Sequence, residues 1–345
     1  MKRKGVSSAE VAQEAGCSRT TVSFVLNNTP GKNISEETRI KVLEAADRLG
    51  YIPDENARRL VMGRTRSVGF FICHSMSIYS DAFLIRLMEG VTQVLNKRRV
   101  QLVLQPLKLK DMNYMRLAHE DQVDGIILTN THDHDRGIPE LVRKNFPFVV
   151  NGSLEDKNIP QVDVDNRKAA AEMASYLLGL GHRRIAMITH APLTFWAARE
   201  RLEGFRQALT QFQVALNEDY LAVGDFTEES GYNAAKKILS LPVPPTAIFA
   251  GNDIIAYGVY KAAKDMSVSI PGSLSVAGFD DDFLSRYLNP PLTTMNLPAG
   301  GLGSTAAQLL LDKMDSGASA FQRGPIILPT RMSIRESCGK IRETQ

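Results

Sequence analysis

The stretch Ser7-Ser-Ala-Glu-Val-Ala-Gln-Glu-Ala-Gly16 contains the signals for the start and the end of a short helix. Ser7 can accept a hydrogen bond from the backbone of Glu10, and the Glu10 side chain can accept one from the Ser7 amide, which is the capping box of a helix N-terminus. Gly16 can adopt the left-handed conformation that ends a helix. The apolar face of this helix would consist of Val11, Ala12 and Ala15. The stretch therefore predicts a capped helix followed at once by a tight turn.

Two more helices are predicted after this turn. Ser18 can cap a helix that runs from Arg19 to Leu26, and Ser35 can cap a third helix that ends at Gly50. The apolar positions with helical spacing are Val22, Val25 and Leu26 in the second helix and Ile40, Leu43, Ala46 and Leu49 in the third. Three short helices with so few apolar residues predict a small, compact head.

The order helix, tight turn, helix is typical of a helix-turn-helix unit that binds DNA. The second helix of such a unit enters the major groove with its N-terminal residues nearest to the bases. Arg19, Thr20 and Ser23 are then the predicted readers, because Arg can bind guanine with two hydrogen bonds and Thr can contact thymine or phosphate. A three-helix surface unit without a DNA-binding role is the alternative.

Charge and composition favour a basic head on a larger globular body. Residues 1–66 contain 12 Lys and Arg against 8 Asp and Glu, a net charge of +4, whereas the other residues contain 29 against 30. A basic module suits a polyanion such as DNA. The 345 residues, 43% hydrophobic and 23% charged, predict two or three folded domains rather than a disordered or fibrous chain.

The sequence also favours a cytoplasmic protein with reduced cysteines. No apolar run approaches the roughly 20 residues that a membrane-spanning helix needs. The basic start at residues 1–5 leads directly into polar sequence, without the apolar segment of a secretory signal. Cys17, Cys73 and Cys338 have no paired spacing, so neither a disulfide framework nor a zinc site is expected.

From Ser67 onward, short apolar runs alternate with amphipathic helical segments, which predicts an α/β body with parallel sheets. The strand candidates lie at residues 68–72, 100–104, 123–128, 148–150, 184–188, 246–250 and 275–279. Ligands of such sheets bind at the carboxyl ends of strands. Polar residues fall at three of these ends, namely Asn151, Asn252 with Asp253, and Asp280 with Asp281.

Two acidic or histidine-containing runs could suggest a metal site. We interpret His132-Asp-His-Asp135 as a solvated loop, and Asp280-Asp-Asp282 as one pocket carboxylate with two solvated neighbours. No metal or cofactor is expected. The chain also has no Ser/His/Asp spacing and no phosphate-binding glycine loop, so we expect a binding protein rather than an enzyme.

The head resembles the LacI/GalR family of bacterial repressors. The resemblance rests on the run Val11-Ala-Gln-Glu-Ala-Gly-Cys-Ser-Arg-Thr-Thr-Val-Ser-Phe-Val-Leu-Asn27, on Ser35-Glu-Glu-Thr-Arg and on Leu49-Gly-Tyr-Ile-Pro53. It implies a head at residues 1–53, a hinge helix with linker at residues 54–66 and an effector-binding domain at residues 67–345. Taken by itself, the hinge segment is equally well explained as an amphipathic linker.

The resemblance implies a set of DNA contacts in the head and the hinge. In the family, a hinge leucine, here Leu60, wedges into the minor groove and bends the operator. Phe24 departs from the family pattern, because many members carry an arginine there, so the operator preference of other members does not transfer. The implied DNA-binding set is Ser18, Arg19, Thr20, Ser23, Phe24 and Asn27 in the head with Ala57, Arg58 and Leu60 in the hinge.

The body resembles the same family over nearly its whole length, through Gly181-His-Arg-Arg-Ile-Ala, Pro245-Thr-Ala-Ile-Phe-Ala-Gly-Asn-Asp and Ser275-Val-Ala-Gly-Phe-Asp-Asp. This implies a periplasmic-binding-protein-like fold of two subdomains that are joined by three crossovers. The implied N-subdomain comprises residues 67–164 and 295–326, and the implied C-subdomain comprises residues 165–294 and 327–345. An effector pocket is expected between the two subdomains.

The family's effector pocket maps onto seven positions, which are Phe83, Asn151, Asp163, Arg199, Phe226, Asn252 and Asp280. A carboxylate, a guanidinium and an amide can share the paired hydroxyls of a sugar, while an aromatic ring stacks on its apolar face. Each position has a structural alternative, such as a core role for Phe83 or a surface ion pair for Arg199.

These observations together predict a homodimeric transcription regulator, most consistent with a repressor, that binds operator DNA and a small sugar-like effector. A sugar-binding transport protein would share the body, but it would lack residues 1–66 and would carry a signal peptide. The ligand can act only through different affinities for two arrangements of the subdomains. Whether it releases DNA or favours DNA binding stays open at this stage.

Overall fold

The computed structural model describes residues 6–26, 31–51, 65–73, 81–108, 112–133, 135–316 and 324–341. These residues form two compact units, a head within Met1–Thr65 and a body within Arg66–Gln345. The predicted hinge falls almost wholly outside the described residues. None of the helices in the described ranges combines the length and apolar character that crossing a membrane requires.

The head consists of three helices, α1 (Ser8–Glu14), α2 (Arg19–Leu26) and α3 (Glu36–Leu49). The predicted capping box is present, since the Ser7 amide donates to Glu10 Oε2 at 2.7 Å and the Glu10 amide donates to Ser7 Oγ at 3.4 Å. Gly16 has a φ of 62° and Gly50 a φ of 64°. These left-handed residues terminate α1 and α3 where the sequence predicted.

The inward face of α3 differs from the predicted one. Ile40 and Leu43, which we expected to be buried, are each 48% exposed, so that prediction was wrong. Two sets of apolar residues on α3 have helical spacing, one with Ile40 and Leu43 and one with Val42. Packing against α1 and α2 buries the set that contains Val42. The buried core of the head is Val11, Ala12, Val22, Val25, Val42, Ala45 and Ala46.

The body contains two six-stranded sheets, which define a first and a second lobe. The sheet of the first lobe is entirely parallel, in the order β11-β5-β4-β3-β1-β2. Its strands are β1 (Ser67–Ile72), β2 (Gln101–Pro106), β3 (Gly125–Thr129), β4 (Phe148–Asn151), β5 (Gln161–Val164) and β11 (Ile326–Leu328). Its helices are α4 (Ala82–Lys97), α5 (Tyr114–Glu120), α6 (Ile138–Arg143) and α11 (Ala299–Ser316).

The sheet of the second lobe has the order β12-β10-β9-β8-β6-β7 and is parallel except for β12. Its strands are β6 (Ile185–Thr189), β7 (Leu221–Val223), β8 (Ala247–Ala250), β9 (Ser275–Asp280), β10 (Thr293–Asn296) and β12 (Arg331–Ser333). Its helices are α7 (Asn166–Gly179), α8 (Trp196–Gln211), α9 (Glu228–Leu239) and α10 (Asp253–Asp265), with two 3-10 turns at Glu218–Tyr220 and Phe283–Arg286. The α/β body with parallel sheets is therefore as predicted.

The chain crosses between the lobes after β5, between β10 and α11, and between β11 and β12. Strand pairing shifts two of these crossings by about two residues from the predicted limits. Met295 and Asn296 pair with β9, so they belong to the second lobe. Ile327 and Leu328 pair with β5, so they belong to the first. Hydrogen-bonded neighbours decide lobe membership, and these neighbours are distant in sequence.

Candidate functional site

The exposed N-terminal turn of α2 carries the predicted DNA-reading side chains. Ser18 caps the helix, because its Oγ accepts a hydrogen bond from the Thr21 amide at 3.0 Å. Arg19, Thr20 and Ser23 are all exposed on the head. Donors and acceptors in this position can reach base edges and phosphates when the helix lies in a groove.

Phe24 is half-buried on α2 and has a cationic neighbour. The Lys32 Nζ lies 5.0 Å from the centre of the Phe24 ring, within the range of a cation–π contact. Asn27, Ala57, Arg58 and Leu60 lie outside the described residues, so their DNA-binding roles stay predictions.

A cavity lies in the body where strand ends from both lobes meet. Six of the seven expected effector residues line it, namely Phe83, Asn151, Asp163, Phe226, Asn252 and Asp280. Asn151 and Asp280 are the last residues of β4 and β9, and Asn252 follows β8 to cap α10 with a hydrogen bond from the Ile255 amide. The topology therefore brings together residues that are up to about 200 positions apart in sequence.

Arg199 is the exception, and Arg201 occupies the cavity wall instead. Residues two positions apart on an α-helix are separated by about 200° around its axis. Arg199 and Arg201 of α8 therefore face nearly opposite directions. Arg201 is only 6% exposed and donates from Nε to Asn166 Oδ1 at 2.9 Å and from Nη1 to the Gly251 carbonyl at 2.6 Å. Arg199 forms an ion pair with Asp133.

Burial dominates the protonation chemistry of the cavity. Loss of hydration raises the pKa of Asp280 well above its ordinary value, although the nearby Arg201 charge opposes this shift. Burial likewise raises the pKa of Asp163, against hydrogen bonds from the Val164 amide and other donors. The pKa of His190 is lowered well below its ordinary value, first by burial and then by Arg201. This histidine is therefore neutral at pH 7.

Two buried atoms on the cavity wall have no hydrogen-bond partner among the described residues, namely Asn151 Oδ1 and His190 Nδ1. The Asn151 Nδ2 is occupied, because it donates to Thr129 Oγ1 at 3.3 Å. An unpartnered buried polar atom costs about 1–3 kcal/mol, a penalty that a bound ligand or water can remove. The wall thus offers free hydrogen-bonding capacity to a polar ligand.

Aromatic rings form another part of the wall. Phe226 makes edge-to-face contacts with His190 and Phe195, with ring centres 5.5 Å and 5.1 Å apart. Trp196, the one tryptophan of the chain, lines the cavity beside them. Such a wall suits the apolar face of a sugar ring, while the polar groups suit its hydroxyls.

Direct contacts connect the two lobes around the cavity. Arg86 of α4 donates to the Asp280 carbonyl at 2.9 Å and to the Asp281 carbonyl at 3.1 Å. At the cavity margin, the Asp133 amide of the first lobe donates to the Thr194 carbonyl of the second at 2.8 Å. The Asp133–Arg199 ion pair reinforces this second contact. Any change in the relative position of the lobes must break or move these bonds.

Comparison with known proteins identifies the group to which this architecture belongs. The model of bacterial regulatory proteins of the lacI family matches residues 9–54, and that of the periplasmic binding protein-like domain matches residues 174–338. Catabolite control protein A of Priestia megaterium is 32% identical over 332 residues, which are 95% of this chain and 98% of that protein. The chain belongs to the lacI family of bacterial regulatory proteins.

Solved structures agree with this assignment. The lac repressor dimer bound to operator and the anti-inducer ONPF matches with a TM-score of 0.85 and 26% identity, over 97% of this chain and 100% of that one. A complex of the transcriptional regulator CelR with cellobiose matches with a TM-score of 0.73 and 28% identity, over 96% and 99%. The prediction of a DNA-binding transcriptional regulator is confirmed, and the lacI family consists of regulators rather than enzymes.

Two interpretations of acidic runs in this lacI-family chain were wrong. Asp281 and Asp282 are buried rather than solvated, and Asp281 accepts hydrogen bonds at 2.6–2.9 Å from Arg335, Asn296 and Ser333. Asp133, assigned to a solvated loop, pairs with Arg199 across the lobes. Among the described residues, no group of three or more His, Cys, Asp or Glu could hold a metal ion.

Several cavity residues of this lacI-family chain escaped the sequence analysis. His190 comes directly after β6, and Thr129 ends β3, so the rule that sites form at strand ends could have found both. Asp81 caps α4 ahead of an apolar run, which is a recognisable N-cap signal. Arg201 had no such signal, because the residue that caps α8, Phe195, offers no side-chain hydrogen bond.

Proposed function

We propose that this lacI-family regulator binds operator DNA as a homodimer, and that a sugar-like effector in the cavity between its lobes changes its operator affinity. The observation that carries the proposal is the cavity itself. It combines the Asp280 carboxylate, the Arg201 guanidinium, the Asn151 amide and the Phe226 ring, and these groups come from both lobes.

The DNA-binding part of the proposal rests on α2 and on the hinge. Arg19, Thr20 and Ser23 would read base edges from the exposed turn, and Arg58 would contact phosphate while Leu60 would bend the operator from the minor groove. Ser18, Phe24, Asn27 and Ala57 complete the proposed DNA-contacting set. The lac repressor complex with operator supports this assignment by analogy.

The effector part rests on the chemistry of the wall. A carboxylate and a guanidinium can each form two hydrogen bonds with neighbouring hydroxyls of a polyol, and the unpartnered Asn151 Oδ1 can accept another. Phe226 would stack on the apolar face of the ring, with Phe83, Asp163 and Asn252 lining the rest. We assign the guanidinium role to Arg201 rather than to Arg199. The cellobiose complex of CelR shows that a similar structure holds a sugar.

The coupling part rests on the contacts between the lobes. A ligand that touches both lobes has different affinities for different lobe arrangements, and the operator must then change ligand affinity by the same factor. Arg86 is the proposed connection, because it joins α4 to the backbone of the ligand-lining residue Asp280.

The homodimer rests on exposed apolar surface and on the lac repressor dimer as a precedent. Phe283 is 55% exposed, Leu284 44% and Tyr287 74%, all within or beside one 3-10 turn. A cluster of exposed large apolar side chains is typical of an interaction surface. We also propose a cytoplasmic location, because operator DNA is found there in bacteria.

Thermal unfolding and fluorescence test the effector site. Sugars and nucleosides would be screened for a rise in melting temperature, since a ligand that binds only the folded state stabilises it by mass action. Each hit would then be titrated against Trp196 fluorescence in the wild type, in Arg201→Met and in the matched surface variant Arg206→Met. Arg201→Met should abolish the response and Arg206→Met should retain it. A full response in Arg201→Met would contradict the assignment of the site.

A further inference from the structure

Three carboxylates share the effector cavity, and they come from three different elements. Asp81 caps α4 in the first lobe, Asp163 lies in β5, and Asp280 ends β9 in the second lobe. Among the described residues that line this cavity, Arg201 is the only Lys or Arg. The carboxylates thus outnumber the cations by three to one, with the lining His190 neutral.

Arg201, the one cation among the described wall residues, already uses two of its nitrogens to donate to neutral acceptors. Arg201 donates to the Asn166 side chain and to the Gly251 carbonyl, and its guanidinium lies 3.8 Å from the centre of the Phe279 ring. It attracts Asp280 and Asp163 only through its charge, without a hydrogen bond to either carboxylate. The negative charge of the cavity is therefore only partly compensated.

The unsatisfied atoms of the cavity are mostly acceptors. The Asp280 carboxylate accepts no hydrogen bond from the described residues, although Asp280 is only 7% exposed. Asp81 Oδ1 accepts from the Phe83 and Leu84 amides at 3.0 and 3.2 Å, which leaves Oδ2 without a donor in the described part of the chain. Asn151 Oδ1 is a third acceptor to which no described residue donates. A complementary ligand must supply donors.

The two lobes place like charges near each other. Burial raises the pKa of Asp280 first, and the carboxylates of Asp253 and Asp81 raise it further, while Arg201 and Arg86 oppose the shift. Burial also raises the pKa of Asp81. Repulsion from Asp282 raises this pKa further, and the Arg86 charge lowers it. Neighbouring buried carboxylates are stabilised by a proton or by a cation between them. An anionic ligand would increase their repulsion.

We propose that the effector is a cationic polyol, an amino sugar whose ammonium group lies between Asp81 of the first lobe and Asp280 of the second. An ammonium group has three donors and no acceptor, so it matches the free acceptors of this wall. The ring hydroxyls would contact Asn151 and Arg201, and the ring face would stack on Phe226. This proposal rests on the proposed function and specifies the chemical class of the effector.

The same contact would explain how this ligand favours one lobe arrangement. Its cation attracts one carboxylate from each lobe, so its binding is strongest when the two lobes lie close together. A neutral sugar offers only hydroxyl donors to the same pair, and a uronic acid or sugar phosphate adds a negative charge. Charge-assisted hydrogen bonds are roughly twice as strong as neutral ones. The expected order of affinity is amino sugar, neutral sugar, acidic sugar.

Matched sugars test this order directly in the full-length protein. D-Glucosamine, D-galactosamine and D-mannosamine would be compared with D-glucose, D-galactose and D-mannose and with D-glucuronate and D-galacturonate. Binding is followed by Trp196 fluorescence at about pH 6.5, below the pKa of a typical α-amino group. At least one amino sugar should bind about tenfold or more tightly than its neutral counterpart. The proposal is overturned if none does, or if a uronate binds best.

A variant separates a charge effect from a general hydrogen-bonding effect. Asp81→Asn removes the charge but keeps the cap of α4, because Asn and Asp cap helices about equally well. Asp165→Asn is the matched control, since Asp165 caps α7 through the Lys168 amide and is exposed outside the cavity. Asp81→Asn should weaken amino sugar binding about tenfold and neutral sugar binding much less, because a hydroxyl group loses a weaker hydrogen bond than an ammonium group does. An equal loss of affinity for the amino sugar and the neutral sugar would overturn the proposal.

The failure of this proposal can be distinguished from failure of the proposed function. If neutral or acidic sugars bind best and change operator affinity, the proposal of an amino sugar effector is wrong and the proposed function of a sugar-responsive regulator is retained. If no sugar of any charge changes fluorescence or operator affinity, both are wrong.

Discussion

Replacing Arg199 and Arg201 by Ala, one at a time, is expected to give opposite results although both lie on α8. Arg201 is buried, and its loss leaves Asn166 Oδ1 and the Gly251 carbonyl without their donor and removes the attraction to Asp280. Breaking a buried charged network of this kind costs about 3–5 kcal/mol. Arg199 and Asp133 keep about a third of their side-chain surface exposed, so the loss of this pair should cost about 0.2–1 kcal/mol.

Urea unfolding followed by Trp196 fluorescence measures both free energies of unfolding. The decrease in the free energy of unfolding caused by Arg201→Ala should be smaller at about pH 5.5 than at about pH 7, because the buried carboxylates of the variant can then take up protons. Ligand response should disappear in Arg201→Ala and persist in Arg199→Ala. Equal destabilisation by the two substitutions, or a larger loss from Arg199→Ala, would refute the placement of Arg201 in the cavity wall.

Three further outcomes are expected. The pKa of Asp280 is raised in the folded state, so the folded protein binds a proton more readily than the unfolded chain, and the free energy of unfolding falls as pH rises. Asp280→Asn should lose less stability over this pH range. Urea midpoints at about pH 7 and pH 5 should therefore show that the wild type gains stability relative to this variant as pH falls. Fluorescence anisotropy should show that Arg19→Ala reduces discrimination between operator and random DNA by about 1–3 kcal/mol. Arg58→Ala should instead weaken binding to both DNAs and lower the slope of log affinity against log salt concentration by about one. An unchanged specificity ratio in Arg19→Ala would rule out this recognition helix. Tyr287→Ser should weaken the dimer in analytical ultracentrifugation, and an unaltered dimer would place the interface elsewhere.

Local signals in the sequence were sufficient to predict the head. Ser7 with Glu10, and the glycines at 16 and 50, act within a few residues of their own helix ends, so the sequence shows them directly. Seven of the twelve strands in the described part of the body, β1 to β4, β6, β8 and β9, were predictable for a similar reason, since each contains a continuous local apolar run, and Asn151 and Asp280 directly end such runs. The other five strands, β5, β7, β10, β11 and β12, were not predicted.

Other features depend on contacts that the local sequence does not specify. Phe195 gives α8 no recognisable side-chain cap, so the rotational phase that places Arg201 inward had no local marker. The inward face of α3 was ambiguous because two stripes have helical spacing, and only packing in the head buries Val42 and leaves Ile40 exposed. The burial of Asp281 depends on Arg335, which is 54 positions away.

Reciprocal coupling between the cavity and the operator is the most direct test of the account. The sugar that binds most tightly would be titrated into the protein with and without operator DNA, and operator DNA would be titrated with and without that sugar. We predict that the two affinity ratios are equal and differ from one by about 5–150-fold, the usual range of allosteric coupling. Tight sugar binding at the Arg201 cavity with both ratios equal to one would contradict it.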